Sequence, residues 1–281
     1  MKGKYHKKRK LSKSYKRIIQ RKLIIFFVAI GTLAIIVACG ILFLDNGSKI
    51  ASGIFAESSE TEDEESSETN AHIISGVSGT CQFPELPTGC EATALYSLMK
   101  YWEIQVDKYD LAMNYMPREY VYFEKGSFYG PNPMDTFAGD PSTESGSFGC
   151  FAKCLVKTFE RFALENQEAN EFFAIDLTGK CLDYLLQEYV AKDNPVLVIV
   201  TPRLVYPHYG CSWMLENGET WDWQSGHHAM VVYGFNENEI YVTDSANWSG
   251  MATYNRKEFE EIYKIKGLSA MTILLSNKKG Q

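Results

Sequence analysis

The sequence predicts an α+β domain in which helices from its first half pack on a largely antiparallel sheet from its second. Amphipathic helical segments dominate residues 89–190, and short β-branched runs bounded by turn residues dominate 195–275. About 200 residues run from Val77 onward, and the chain is 45% hydrophobic and 14% aromatic, ample for one compact core.

In order along the chain, Gly89–Tyr101 carries apolar residues at 92, 94, 95, 98, 99 and 101–102, a helical pattern that follows the turn-forming Pro87-Thr88-Gly89. Residues 106–140 mix Pro, Gly and aromatics with little periodicity and predict a short helix and a long loop. Phe151–Ala163 and Leu177–Val190 are again helical in pattern. Pro195 opens the run Val196–Val200, a buried strand by length and branching. Ala229–Phe235, Glu239–Thr243 and Ala270–Leu275 are three more strands, the first two joined as a hairpin by Asn236-Glu237-Asn238. Tyr254–Tyr263 predicts a last helix before the closing strand.

The residues ahead of Val77 are of another kind. Residues 1–22 hold 11 Lys/Arg and no Asp/Glu, leaving 17 basic against 35 acidic residues in the remainder, so the net charge of −7 conceals a polar chain. Leu23–Leu44 is an uncharged apolar run of 22 residues, which as a helix spans about 33 Å, a bilayer core. The positive-inside rule predicts a single-pass anchor with a cytoplasmic N-terminus and everything after Asp45 extracellular. The basic tail is then a topology signal meeting anionic lipid, and no nucleic-acid partner is needed. A cleaved lipoprotein signal ending at Ile36-Val37-Ala38-Cys39 is the competing reading, but the apolar run continues past Cys39. Residues 45–76, rich in Ser, Glu and Thr, bury too little to offset their ordering entropy and predict a disordered stalk. The predicted domain is 77–281.

The chemistry centres on Cys90. A cysteine where a loop becomes a helix sees the positive end of the helix dipole and unpaired first-turn N–H groups, which favour a thiolate and can hold an oxyanion. Gln82, eight residues earlier, can add a side-chain amide to the same hole. His228 stands at the entrance of one hairpin strand and Asp244 at the end of its partner, so the carboxylate can orient the imidazole toward Cys90. His227 then points to the opposite face, where it is expected outward and solvated. The other cysteines, at 39, 81, 150, 154, 181 and 211, complete no zinc set and mostly read as small buried hydrophobes. Asp135 and Asp140 lack paired carboxylates at cation-ligand spacing. Trp213, Trp221 and Trp223 are either a groove lining or a packed lid.

Leu86-Pro87-Thr88-Gly89-Cys90-Glu91-Ala92-Thr93-Ala94-Leu95 resembles the nucleophile motif of bacterial peptidase C39-like proteins, a papain-like group related to bacteriocin-processing peptidases. Gln82 sits where that family places its oxyanion-hole glutamine. Phe137-Ala138-Gly139-Asp140-Pro141, Ser147 through Ala152, Pro195-Val196, Gly218–Trp223, His228–Phe235 and Val242-Thr243-Asp244 are similar to its later segments in order and spacing, over roughly residues 80–275. The resemblance implies a papain-like fold and thiol-dependent cleavage of a peptide or protein substrate, with no cofactor or metal, His228 as base and Asp244 as its orienting partner. Two positions depart from the pattern: Asp244-Ser245 replaces the usual Asp-Pro, which should loosen that turn, and Lys153 stands where proline is commoner. Exporter-fused relatives cut double-glycine leaders on the cytoplasmic side, whereas this domain is predicted outside. The alternative is a catalytically silent surface module that keeps the fold and binds peptide or cell-wall material.

Overall fold

The computed structural model describes residues 71–276. The predicted basic tail, membrane span and nearly all of the predicted stalk lie outside the described residues, as does Cys39. Among the described residues no helix is long and apolar enough to cross a membrane.

The chain enters through β1 (His72–Ile73), a two-residue strand inside the predicted stalk. The first long helix, α1, is Cys90–Tyr101. A helical turn at Lys108–Asp110, continuing through Leu111–Tyr115, leads to β2 (Arg118–Glu119), β3 (Tyr122–Glu124), β4 (Ser127–Tyr129) and β5 (Phe137–Ala138). After α2 (Ala152–Glu165) come β6 (Phe172–Asp176), α3 (Leu182–Glu188) and β7 (Val196–Val200). The remainder is β8 (Tyr209–Met214), β9 (Thr220–Gln224), β10 (His228–Phe235), β11 (Glu239–Asp244), β12 (Met251–Asn255), α4 (Arg256–Ile265) and β13 (Ala270–Leu275).

The main sheet runs β12-β11-β10-β7-β13-β6, every pair antiparallel, with β1 added against the far end of β10. Its two central strands are continuous apolar runs because both faces are covered. Leu197 and Ile199 of β7, with Ala229 and Val231 of β10, pack under α1 and α2 against Leu95, Leu98 and Leu155. Val196, Val198, Met230 and Val232 face the other way, onto Leu185, Phe259 and Ile262 of α3 and α4. The period of two in the strands thus sorts each residue to one of two buried layers.

A second, smaller sheet, β3-β4-β8-β9, was not legible in the sequence. The predicted loop over 106–140 contains its β3–β4 hairpin, turned at Lys125-Gly126, both at positive φ as a two-residue hairpin turn requires. Its strands are half-exposed and aromatic rather than β-branched, so they lack a continuous apolar run. Trp213 and Trp223 stack across β8 and β9 with ring centroids 5.9 Å apart, and Phe148 packs on both. Two helix boundaries also shift. Leu177 follows β6 rather than opening α3, and the last helix begins at Arg256 because residues 251–255 extend the sheet as β12. Lys153, the departure from proline, sits in the first turn of α2 and pairs with Asp135 at 3.0 Å.

Candidate active site

Cys90 is the first residue of α1 and is 6% exposed. The loop that delivers it is pinned from outside. Thr88 Oγ1 donates to the carbonyls of Asp140 and Thr143 at 3.2 and 3.0 Å, and Thr93 Oγ1 closes back on the Gly89 carbonyl at 2.9 Å. Gln82, also buried, bridges two loops: its Nε2 donates to the Pro87 carbonyl at 2.8 Å, and its Oε1 accepts from Ser245 Oγ at 2.8 Å. Its backbone N–H donates to the Ser245 carbonyl at 3.0 Å. The Asp244-Ser245 turn is therefore not loosened by the missing proline; the serine hydroxyl fastens it to Gln82. One Nε2 hydrogen of Gln82 remains uncommitted by the Pro87 bond.

His228 opens β10 and Asp244 closes β11, and in the register Asp244 sits opposite Met230, so His228 is its diagonal neighbour on the same face. His228 Nε2 lies 2.7 Å from Asp244 Oδ1, which leaves Nδ1 as the nitrogen for other work. Tyr254 Oη donates to Asp244 Oδ2 at 2.8 Å and the Ala246 N–H to Oδ1 at 3.0 Å. Burial works against the Asp244 charge, but these donors and His228 outweigh it and hold its carboxyl below the usual range. Cys90, Gln82 and His228 line one cleft of about 840 Å³. Phe128, Phe148 and Trp223 form an aromatic wall from the second sheet, so Trp223 serves both readings, packed on one side and lining the cleft on the other.

Two residues behave otherwise than predicted. His227, the residue before β10, is buried rather than solvated, and with His228 it lines the same cleft. Its side chain is 2% exposed, its Nε2 donates to the Cys150 carbonyl at 2.7 Å, and its ring packs on Phe151 and Trp223 at 4.9 and 4.8 Å between centroids. Burial, reinforced by Lys266, holds the imidazole well below its ordinary pKa, so it is neutral. Cys90, with Glu91 ionised beside it, is a thiol rather than the thiolate its place at a helix start predicts. Burial first, and then the charge of Glu91, push its thiol well above the ordinary value. A helix N-terminus contributes at most ~2 kcal/mol, less than the several pKa units that full burial commands.

Glu91 is the functional-looking residue that sequence reasoning passed over. It is 1% exposed, its Oε2 accepts from Cys90 Sγ at 3.2 Å, and its Oε1 accepts from the Cys150 N–H at 3.2 Å with His227 Nε2 at 3.5 Å. Burial lifts its carboxyl to about 7. Gly149, at φ +127°, makes room for it, since a Cβ there would overlap Glu91 Oε1. The available signal was helical spacing: residues 91, 94, 95 and 98 form one stripe, so a glutamate stands on the buried face of α1.

All six cysteines among the described residues are free. Cys150 and Cys154 are buried, while Cys181 is exposed and Cys81 and Cys211 are half-buried, so the reading as buried hydrophobes fits only the first pair. Among the described residues no group of three or more His, Cys, Asp or Glu is placed to hold a metal ion.

Comparison with known proteins gives a consistent picture. The uncharacterised YvpB of Bacillus subtilis strain 168 is 28% identical over 192 residues, covering 68% of this chain and 70% of the relative. A crystal structure from Bacillus anthracis, described as that of a C39-like peptidase, superposes with a TM-score of 0.63 at 25% identity, over 74% of this chain and 99% of that one. The profile of the Peptidase_C39 like family matches residues 74–271, the span from the end of β1 into β13, and the chain belongs to that family.

Proposed function

We propose that this protein is a thiol peptidase anchored in the membrane by residues 23–44, with its domain on the extracellular side and peptides or proteins as substrate. The observation that carries the reading is the 2.7 Å bond from His228 Nε2 to Asp244 Oδ1 at a cleft that also holds Cys90 and Gln82. Cys90 Sγ bonds to the scissile carbonyl carbon as its proton passes to His228 Nδ1. The carbonyl oxygen takes up the displaced electron pair and is held by the Cys90 N–H, which has no intrahelical partner, and by the second Nε2 hydrogen of Gln82. Collapse breaks the C–N bond, and the amine leaves with the proton from Nδ1. Water, activated by the same nitrogen, hydrolyses the thioester and restores the thiol. Asp244 fixes the ring and stabilises the imidazolium.

The test is cleavage of a mixed peptide library by the purified full-length protein, with Cys90→Ser and His228→Ala beside it. Cleavage lost in both variants supports the mechanism; cleavage that survives Cys90→Ser overturns it. The topology is checked with a membrane-impermeant maleimide on intact cells. Exposed Cys181 should be labelled, and protection until the cells are lysed would overturn the extracellular placement. The neutral resting thiol favours one second reading, a module that binds peptide or cell-wall material without cutting it. That reading predicts equal capture by the parent and by Cys90→Ala, with cleavage by neither.

A further inference from the structure

We propose that Glu91 is a positioning residue for the nucleophile: ionised, it holds Cys90 as a neutral thiol, and protonated, it releases Cys90 as a hydrogen-bonded thiolate. The inference rests on the thiol-peptidase reading for its purpose but on separate geometry for its substance. Glu91 Oε2 and Cys90 Sγ are 3.2 Å apart in a buried pair. With a carboxylate at that distance the only proton between them belongs to sulfur, and a thiolate there would bring two negative charges together out of water. With a carboxylic acid at that distance the proton belongs to oxygen, and the O–H donates to a thiolate whose own proton has moved to His228 Nδ1. The two states differ by one proton from solvent, and no bond other than those to the moving protons changes.

The surroundings keep the carboxylate poorly compensated. From the loop before α2 it receives the Cys150 N–H at 3.2 Å. The Cys150 thiol, pushed up by burial, stays neutral. From the start of β10 come His227 and His228. The His227 Nε2–H is committed to the Cys150 carbonyl at 2.7 Å and reaches Glu91 only at 3.5 Å, and His227 Nδ1 is buried without a partner. From the end of α4 comes Lys266, 4% exposed, whose Nζ sits 5.7 Å over the Trp223 ring and 3.4 Å from the Gln224 carbonyl. Burial lowers Lys266 to about 8 and raises Glu91 to about 7, so the carboxyl changes state first as pH rises. Gly149, at φ +127°, leaves the room that the carboxylate occupies, because a Cβ there would overlap Glu91 Oε1.

The experiment is the pH dependence of Cys90 alkylation by iodoacetamide in the full-length protein, read at the Cys90 peptide by mass spectrometry from about pH 5.5 to about pH 8.5, a window centred on neutrality. An ordinary thiol reacts about tenfold faster per pH unit below its pKa. Cys90 should do the opposite, slowing as pH rises through neutrality. Glu91→Gln, whose amide can donate at every pH, should remove that fall and react at least about tenfold faster than the parent at the alkaline end. A parent rate that climbs with pH overturns the inference without reference to any variant, as does a Glu91→Gln profile parallel to the parent. The outcomes separate from those of the peptidase reading. An inverse profile with no peptide cleaved sinks only the peptidase; His228-dependent cleavage with an ordinary profile sinks only this role for Glu91.

Discussion

Two carboxylates flank the same cleft and are treated in opposite ways. Asp244, at the end of β11, receives His228, the Tyr254 hydroxyl and the Ala246 N–H, and its carboxyl is held below the usual range. Glu91, at the mouth of α1, receives one backbone N–H, a thiol and a distant imidazole, and burial lifts it to about 7. Donor quality and depth separate them: Asp244 has an imidazole at 2.7 Å and a hydroxyl at 2.8 Å, whereas the imidazole nearest Glu91 is neutral and 3.5 Å away, and Glu91 is the more deeply buried of the two. The strand side of the site is a charge held until acid pH; the helix side is a charge that comes and goes near neutral pH.

Four measurements break or sharpen that contrast. The largest effect is expected from Asp244→Asn, which keeps the shape and removes the fixed charge: kcat/KM for peptide cleavage should fall by about 10²–10⁴. A loss below about tenfold would mean the strand side is no more important than the helix side. Gly149→Ala should come next, costing about 2–4 kcal/mol in a denaturant melt, because it combines a positive φ with a clash against Glu91 Oε1. An unchanged midpoint would mean Glu91 moves aside freely.

The third measurement concerns sign. Folded Glu91 keeps its proton up to about 7, whereas the unfolded carboxyl loses it near 4.5, so between those values the folded state binds the extra proton and stability falls as pH rises. Glu91→Gln should therefore be more stable than the parent above about pH 7, by on the order of 2–3 kcal/mol, and level with it below the usual carboxylate range. Asp244 runs the other way. Its contribution is present above the usual carboxylate range and is lost as pH falls through its lowered folded value. Urea melts at acid and alkaline pH read both, and a Glu91→Gln advantage that did not grow with pH would remove the contrast. Smallest is Ser245→Ala, which deletes one buried bond to Gln82 Oε1, worth about 1 kcal/mol. A several-fold drop in kcat with KM unchanged would be its mark, and a change in KM alone would place Gln82 in substrate binding instead.

Much of this could be read from residue order. Helices α1 and α2 and strands β7, β10, β11 and β13 are periodic or continuously apolar, and such patterns survive without tertiary context. Cys90 and Gln82 from one stretch, with His228 and Asp244 from two others, line or adjoin one cleft. The second sheet escaped because Tyr122, Phe123 and Phe128 remain exposed and carry no buried face to betray a strand. His227 was misplaced for a related reason. Nothing local marks it as buried; Phe151, Trp223 and the Cys150 carbonyl, all distant in sequence, enclose it. Glu91 has no local mark of its role, because its partners Cys150 and His227 come from distant stretches.

The two-residue strand at the entrance has a mechanical consequence. Because His72 and Ile73 pair with Phe235 and Gly234, whatever precedes residue 71 is attached at the end of β10 remote from His228. The steps along that strand from one end to the other amount to roughly 23 Å. A pull on the N-terminal side of the domain would load the rear of the sheet first, and the end that carries His228 would feel it only after that stitch had opened.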